Sequence, residues 1–222
     1  MKKLCCGLAF LCALGLVLPA DAQIRMGLIG GLNLANVSVN PNEEPEPSNL
    51  TTFGVGGVLH INLADNLALQ FEPMYLRKGA KQKGSFTDPD LGNFSAEAKT
   101  KVDYIEVPVM LKVAFGASMT GPYVMAGPMV GFLLSAKQTG SISFAGVEQE
   151  IDEDIKDQIT NIDFGLGFGA GLSFPAGNNS LFVEGRYALG LTNINDDPED
   201  AQTEVKTREI QILAGVIFQL GK

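Results

Sequence analysis

Three features of this 222-residue sequence predict an all-β fold, an eight-stranded antiparallel barrel built to cross a membrane. Apolar and polar residues alternate with period two over long stretches. Eight such stretches each run at least 12 residues, whereas a soluble strand averages about five or six. The connections between them are short and long in turn. Successive side chains on a strand point to opposite faces, so period two gives every segment one apolar and one polar face. A barrel strand needs about 9–11 tilted residues to cross the hydrocarbon. Short turns on one side and long loops on the other are the pattern of outer-membrane barrels.

Composition narrows the function classes. With 16 basic and 25 acidic residues the chain carries a net charge of −9, which excludes nucleic acid as a partner because phosphate binding needs a basic surface. A hydrophobic fraction of 45% excludes wholesale disorder.

The elements follow in order. Lys2 and Lys3 precede the apolar stretch Leu4 to Leu18, and Ala20-Asp21-Ala22 has the small-x-small form of a cleavage site. Residues 1–22 therefore read as a cleaved signal peptide, and residues 23–222 as a single barrel domain. Cys5, Cys6 and Cys12 all fall in the leader, which leaves the mature chain without a thiol, a disulfide or a cysteine metal site. The strands are expected over 24–39, 51–63, 67–78, 102–115, 122–136, 161–174, 181–195 and 207–220. Residues 64–66, 116–121 and 175–180 read as short periplasmic turns; 40–50, 79–101, 137–160 and 196–206 read as long polar extracellular loops. The cleanest alternation runs from Ile162 to Phe174, apolar at every even position and Gly, Asp or Ser at every odd one. Pro73, Pro108 and Pro128 fall inside expected strands and call for bulges or local breaks, because proline cannot donate to a ladder.

Periodicity alone leaves open which face is inside, and a soluble lipocalin-like carrier would put the apolar face inward. Strand length and loop asymmetry favour the membrane arrangement. So do Phe115, Phe174, Phe182 and Phe218, which sit beside the short-turn ends as an aromatic girdle would. The polar face then lines the lumen.

Several stretches carry a family resemblance. Phe71-Glu72-Pro73-Met74-Tyr75 with Lys78-Gly79, Tyr104-Ile105-Glu106-Val107-Pro108-Val109-Met110-Leu111-Lys112 and Gly121-Pro122-Tyr123-Val124-Met125-Ala126-Gly127-Pro128 together resemble the PorT-like family of bacterial outer-membrane β-barrel domain proteins. The resemblance implies an outer-membrane barrel in a Gram-negative envelope and accounts for the prolines. It supplies location and fold more than function. The chain ends Phe218-Gln219-Leu220-Gly221-Lys222, where many such barrels end on an aromatic residue.

The residues that carry chemistry are those of the polar face. Glu72, Glu106, Lys112, Asp163, Glu184 and Arg186 are expected to form a structural polar network in the lumen, joined by Arg25. An eight-stranded barrel is just wide enough for its side chains to fill it, and charges buried there must pair. Glu106 and Lys112 are about 20 Å apart along one strand and cannot pair with each other, so partners such as Glu72 or Glu184 must come from other strands. Gly165, Gly167, Gly169 and Gly171 alternate strictly, so they make room in a tight barrel and do not form a dinucleotide fingerprint. His60 is the single histidine and has no serine beside it. No catalytic, cofactor or metal site is expected. Acidic runs at Glu43, Glu44 and Glu46, from Glu148 to Asp157, and at Asp196, Asp197, Glu199 and Asp200 read as solvated loop surface. They are also where divalent cations would bridge to lipopolysaccharide.

The reading that results is a non-enzymatic outer-membrane barrel with a plugged polar lumen, acting structurally or through its acidic loops. Its partners would be outer-membrane lipid, lipopolysaccharide and, during biogenesis, the barrel-assembly machinery. The alternatives are a lipid-modifying enzyme using His60, a small pore or secretion-accessory barrel, and the soluble carrier.

Overall fold

The computed structural model describes residues 24–41, 46–88, 92–115, 120–144, 147–200 and 202–219. The expected signal peptide with its three cysteines lies outside the described residues, as do Glu43, Glu44 and the last three residues of the chain. Ten strands run in chain order: β1 (Ile24–Asn40), β2 (Leu50–Ala64), β3 (Leu67–Phe71), β4 (Met74–Asp88), β5 (Gly92–Ala114), β6 (Gly121–Phe144), β7 (Val147–Asp154), β8 (Ile162–Ala176), β9 (Asn179–Gly190) and β10 (Glu204–Phe218).

All pairings are antiparallel, and they close into a ring of eight. β1 pairs with both β2 and β10; β10 pairs with β9, β9 with β8, β8 with β6 and β6 with β5. β3 and β4 together fill one position, each pairing with β2 and β5. Their break falls at Glu72-Pro73, where the carbonyl of Pro73 accepts from the Gly57 amide and the Glu72 amide donates to Pro108. Proline is accommodated here because the ladder is already interrupted. A Cβ at Gly56 would meet both the Pro73 carbonyl and Met74 at 2.4 Å, so the facing strand needs glycine for the break to nest against it. Pro108 and Pro128 remain inside β5 and β6, opposite Met129 and Leu166.

The loop expectation needs correction at two places. Residues 79–101 and 137–160 were to be loops, but β4 and β5 continue past the ring as a hairpin with Asp88 opposite Gly92, and β6 continues to Phe144 and pairs with β7. Backbone pairing persists there without strict alternation: Ala80, Val102 and Ala136 near the ring are buried, while Lys83 and Lys99 reach water. Over 181–195 the strand stops at Gly190, and Ile194 and Asn195 cross instead towards Val205 and Ile159.

The polarity is that of a membrane barrel and the reverse of a soluble carrier. Leu28, Leu32, Val55, Phe164, Phe168, Leu172, Val183 and Ile212 face outward and exposed, while Gln70, Glu72, Glu106, Lys112, Glu184, Arg186 and Glu209 are buried inside. Phe115, Phe174 and Phe218 are exposed at the short-turn end, by 68%, 48% and 39%. Phe182 is not part of that girdle: it is 2% exposed and shares the inward face with Glu184 and Arg186, as its even position on the same strand requires.

The interior is not only polar. Met74, Leu76, Met110, Tyr123, Met125, Phe182 and Leu213 pack in one buried cluster. The alternating glycines of β8 make the space. A Cβ at Gly167 would lie 2.7 Å from Met129 Sδ, and one at Gly171 would lie 2.6 Å from the Tyr123 ring.

Candidate functional site

The charged residues of the interior fall into two tiers. Nearer the short-turn end, Arg186 on β9 pairs with Glu72 at the β3–β4 break at 2.6 Å and with Glu184, two positions along its own strand, at 2.5 Å. All three side chains are shut off from solvent. Tyr123 donates to the other oxygen of Glu184 at 2.7 Å, and the Lys112 ammonium lies 3.5 Å from the centroid of the Tyr123 ring. Gln70 donates to Glu72 at 2.9 Å and lies against His60, whose second ring nitrogen meets Asn62 Oδ1 at 2.8 Å; Arg25 donates to the same Asn62 oxygen at 3.0 Å. One connected network therefore spans the bore from β6 and β9 to β2.

The second tier lies nearer the long-loop end and centres on Lys78 of β4. Its ammonium meets Glu106 at 2.5 Å, Glu209 at 3.0 Å and Asp163 at 3.2 Å, from β5, β10 and β8. Thr207 donates to Asp163 at 3.1 Å. The Tyr104 ring stands 5.2 Å from Lys78 Nζ.

The six expected lumen residues thus divide between the tiers. Glu72, Glu184 and Arg186 meet directly; Glu106 and Asp163 meet through Lys78; Lys112 rests on the rings of Tyr123 and Phe182. Sequence reasoning missed Lys78 as a lumen residue and left Glu209 out of the network. Counting by twos from Glu72 through Met74 and Leu76 reaches Lys78, so strand parity could have found it. In a low-dielectric interior such ions persist only when paired and hydrogen-bonded, since desolvating each is costly.

Outside the ring the electrostatics are those of a wet surface. Glu97 on the β4–β5 hairpin is bonded to Lys83 at 2.6 Å and to Lys99 at 2.8 Å, with Lys81 at 3.4 Å. The hydrogen bonds from Lys83 and then Lys99 hold its carboxyl down at about 2. Of the acidic runs, Glu150, Asp152, Glu153 and Asp154 lie exposed along β7. Among the described residues no group of three or more His, Cys, Asp or Glu side chains is arranged to hold a metal ion.

Residues 20–196 match the family described as outer membrane protein beta-barrel domain. The chain belongs to this family. The match covers β1 to β9, and β10, which closes the ring, follows it. As a member of the outer-membrane β-barrel domain family, the protein is placed in the outer membrane. Similar solved structures include Neisserial surface protein A, at 15% identity and a TM-score of 0.43 over 88% of this chain and 97% of that one. Ail, the attachment invasion locus protein of Yersinia pestis, is 14% identical with a TM-score of 0.38 over 87% and 98% of the two chains. The outer membrane protease OmpT of Escherichia coli is 9% identical with a TM-score of 0.35 over 90% and 97%. No curated protein matches the chain.

Proposed function

We propose that this outer-membrane barrel is a non-enzymatic structural or interaction protein whose lumen is closed by its own ion-paired side chains. Its contacts are made by the hairpins that project beyond the ring. The observation that carries this reading is the lower tier. Arg186, Glu72 and Glu184 are fully enclosed and reach one another across the bore, and Tyr123, Gln70 and Met125 pack around them. A water-filled pore would leave these charges hydrated. His60 supports the non-enzymatic reading, because its two ring nitrogens face the amide oxygens of Gln70 and Asn62 and not a nucleophile.

The rest of the reading comes from the sequence. Export runs through the signal peptide at 1–22, and the motifs around Pro73, Pro108 and Pro128 resemble those of PorT-like barrels. Insertion uses the barrel-assembly machinery. The acidic runs, of which β7 carries one, meet lipopolysaccharide with divalent cations between the two sets of anions.

The test is single-channel recording in planar bilayers of full-length protein whose folded state is verified by heat-modifiable gel mobility. No stepwise conductance is expected from the wild type. Discrete, reproducible steps would overturn the closed-lumen reading and favour a small pore.

A further inference from the structure

At the long-loop end, above the Lys78 tier, the structure holds a partly open chamber of about 190 Å³. Its walls are aliphatic: Val37, Ala80, Val102, Ile155, Ile194 and Val205 line it from several elements. Val102, Ile155 and Ile194 are almost fully buried. The wall segments are fastened by backbone bonds, Ile155 to Ala136, Thr160 to Ile194 and Ile194 to Val205. The chamber is therefore built into the fold.

Its floor has a different chemistry. Lys78, Tyr104 and Thr207 line it. Tyr104 is completely buried, and its hydroxyl has no hydrogen-bond partner among the described residues. Native structures rarely leave a buried hydroxyl in that condition. Thr207 spends its proton on Asp163, so its oxygen is left as an acceptor. Directly behind the floor, Lys78 offers one positive charge to the three carboxylates of Glu106, Asp163 and Glu209. The floor thus presents hydroxyl acceptors over a lysine whose charge is already taken up by three carboxyl groups. It disfavours an anion and favours a protonated amine.

Size sets the rest. An apolar cavity of roughly 150 Å³ takes up benzene, so this chamber suits one ring with a short arm, or a short alkyl chain. We propose that the chamber binds a small apolar primary amine, its ammonium against the Tyr104 and Thr207 hydroxyls and its hydrocarbon between the aliphatic walls. The chamber lies outside the lower tier, so the site coexists with a closed lumen.

The test uses full-length protein in detergent micelles with its isoleucine δ1 methyls labelled for NMR, titrated with benzylamine, toluene and benzoate. Benzylamine is expected to shift the Ile155, Ile159 and Ile194 methyls saturably, at least about tenfold more tightly than the other two probes. Ile212, on the outer face, reports partition into the detergent and is expected to stay unmoved. Tyr104→Phe should weaken benzylamine by about fivefold to tenfold and leave toluene unchanged. Ala98→Phe, which fills the chamber from its wall, should abolish the shifts while the heat-modifiable gel band persists. The absence of saturable shifts would overturn the site, as would shifts that survive Ala98→Phe. Toluene binding as tightly as benzylamine, or benzoate binding more tightly, would overturn the amine assignment.

Discussion

Arg186 is the residue on which the lower tier turns. It is the cation that Glu72 and Glu184 share, and neither carboxylate has water to fall back on. Arg186→Met keeps length and apolar bulk but leaves two buried carboxylates facing each other. Removing one partner of a buried ion pair costs about 3–5 kcal/mol. The urea midpoint of the protein folded in micelles should fall accordingly, read by the loss of the heat-modifiable band. Adding Glu72→Gln and Glu184→Gln should recover most of the loss, because no uncompensated charge then remains. Recovery by the triple variant separates charge imbalance from a packing defect, which it would not repair. These three residues were legible in the sequence because Glu184 and Arg186 sit on the polar parity of β9, and Glu72, although it falls at the β3–β4 break, continues the parity of Gln70 on β3. The seat of Lys112 was not: its ammonium lies over Tyr123, on the neighbouring β6, and Phe182, on β9, and no pattern within one strand shows which rings other strands bring to it.

At the scale of elements, the eight ring positions follow from period two, and the misread segments follow from its loss. Lys81, Gln82, Lys83 and Gly84 show no apolar face, yet they pair in register with Lys99, Ala98, Glu97 and Ala96. These residues are polar or small on both faces, so hydropathy shows no alternation and cannot tell the hairpin from a loop. Hydropathy likewise missed the paired ends of β6 and β7, which run from Lys137 opposite Asp154 to Phe144 opposite Val147. This hairpin projects from the ring and is not a member of it, because β6 closes on β8 between Gly121 and Phe132. Replacing residues 140–151 with a two-residue Asn-Gly turn between Thr139 and Asp152 supplies the turn type that tight hairpins prefer; it leaves the β6–β8 pairing untouched and removes only the outermost β5–β6 rungs, Ala98 opposite Gly140 to Phe94 opposite Phe144. The shortened protein should refold with the same heat-modifiable shift and a urea midpoint close to that of the wild type. A failure to refold would mean that the projecting hairpin belongs to the cooperative unit.

The whole molecule is a polar interior wrapped in an apolar sleeve, and the sleeve makes it a membrane protein. The direction of the faces is testable on its own, because the cost of a charge on the outer surface depends on depth in the bilayer. Ile212 sits opposite Leu32 on β1 and Gly185 on β9, well inside the paired part of β10, and is 54% exposed on the outside. Phe115 is also exposed on the outside, but it follows the end of β5 at the short-turn rim. If the apolar sleeve meets lipid, arginine at the first position should cost about 2–4 kcal/mol and at the second about 0–1 kcal/mol. Urea unfolding of Ile212→Arg and Phe115→Arg in lipid vesicles, followed by gel mobility, measures both. In a soluble barrel neither outward arginine would cost much, and Ile212→Arg would be as well tolerated as Phe115→Arg. A large penalty confined to Ile212 therefore tests face and depth together, and equal tolerance at the two positions would sink the lipid-facing assignment of the sleeve.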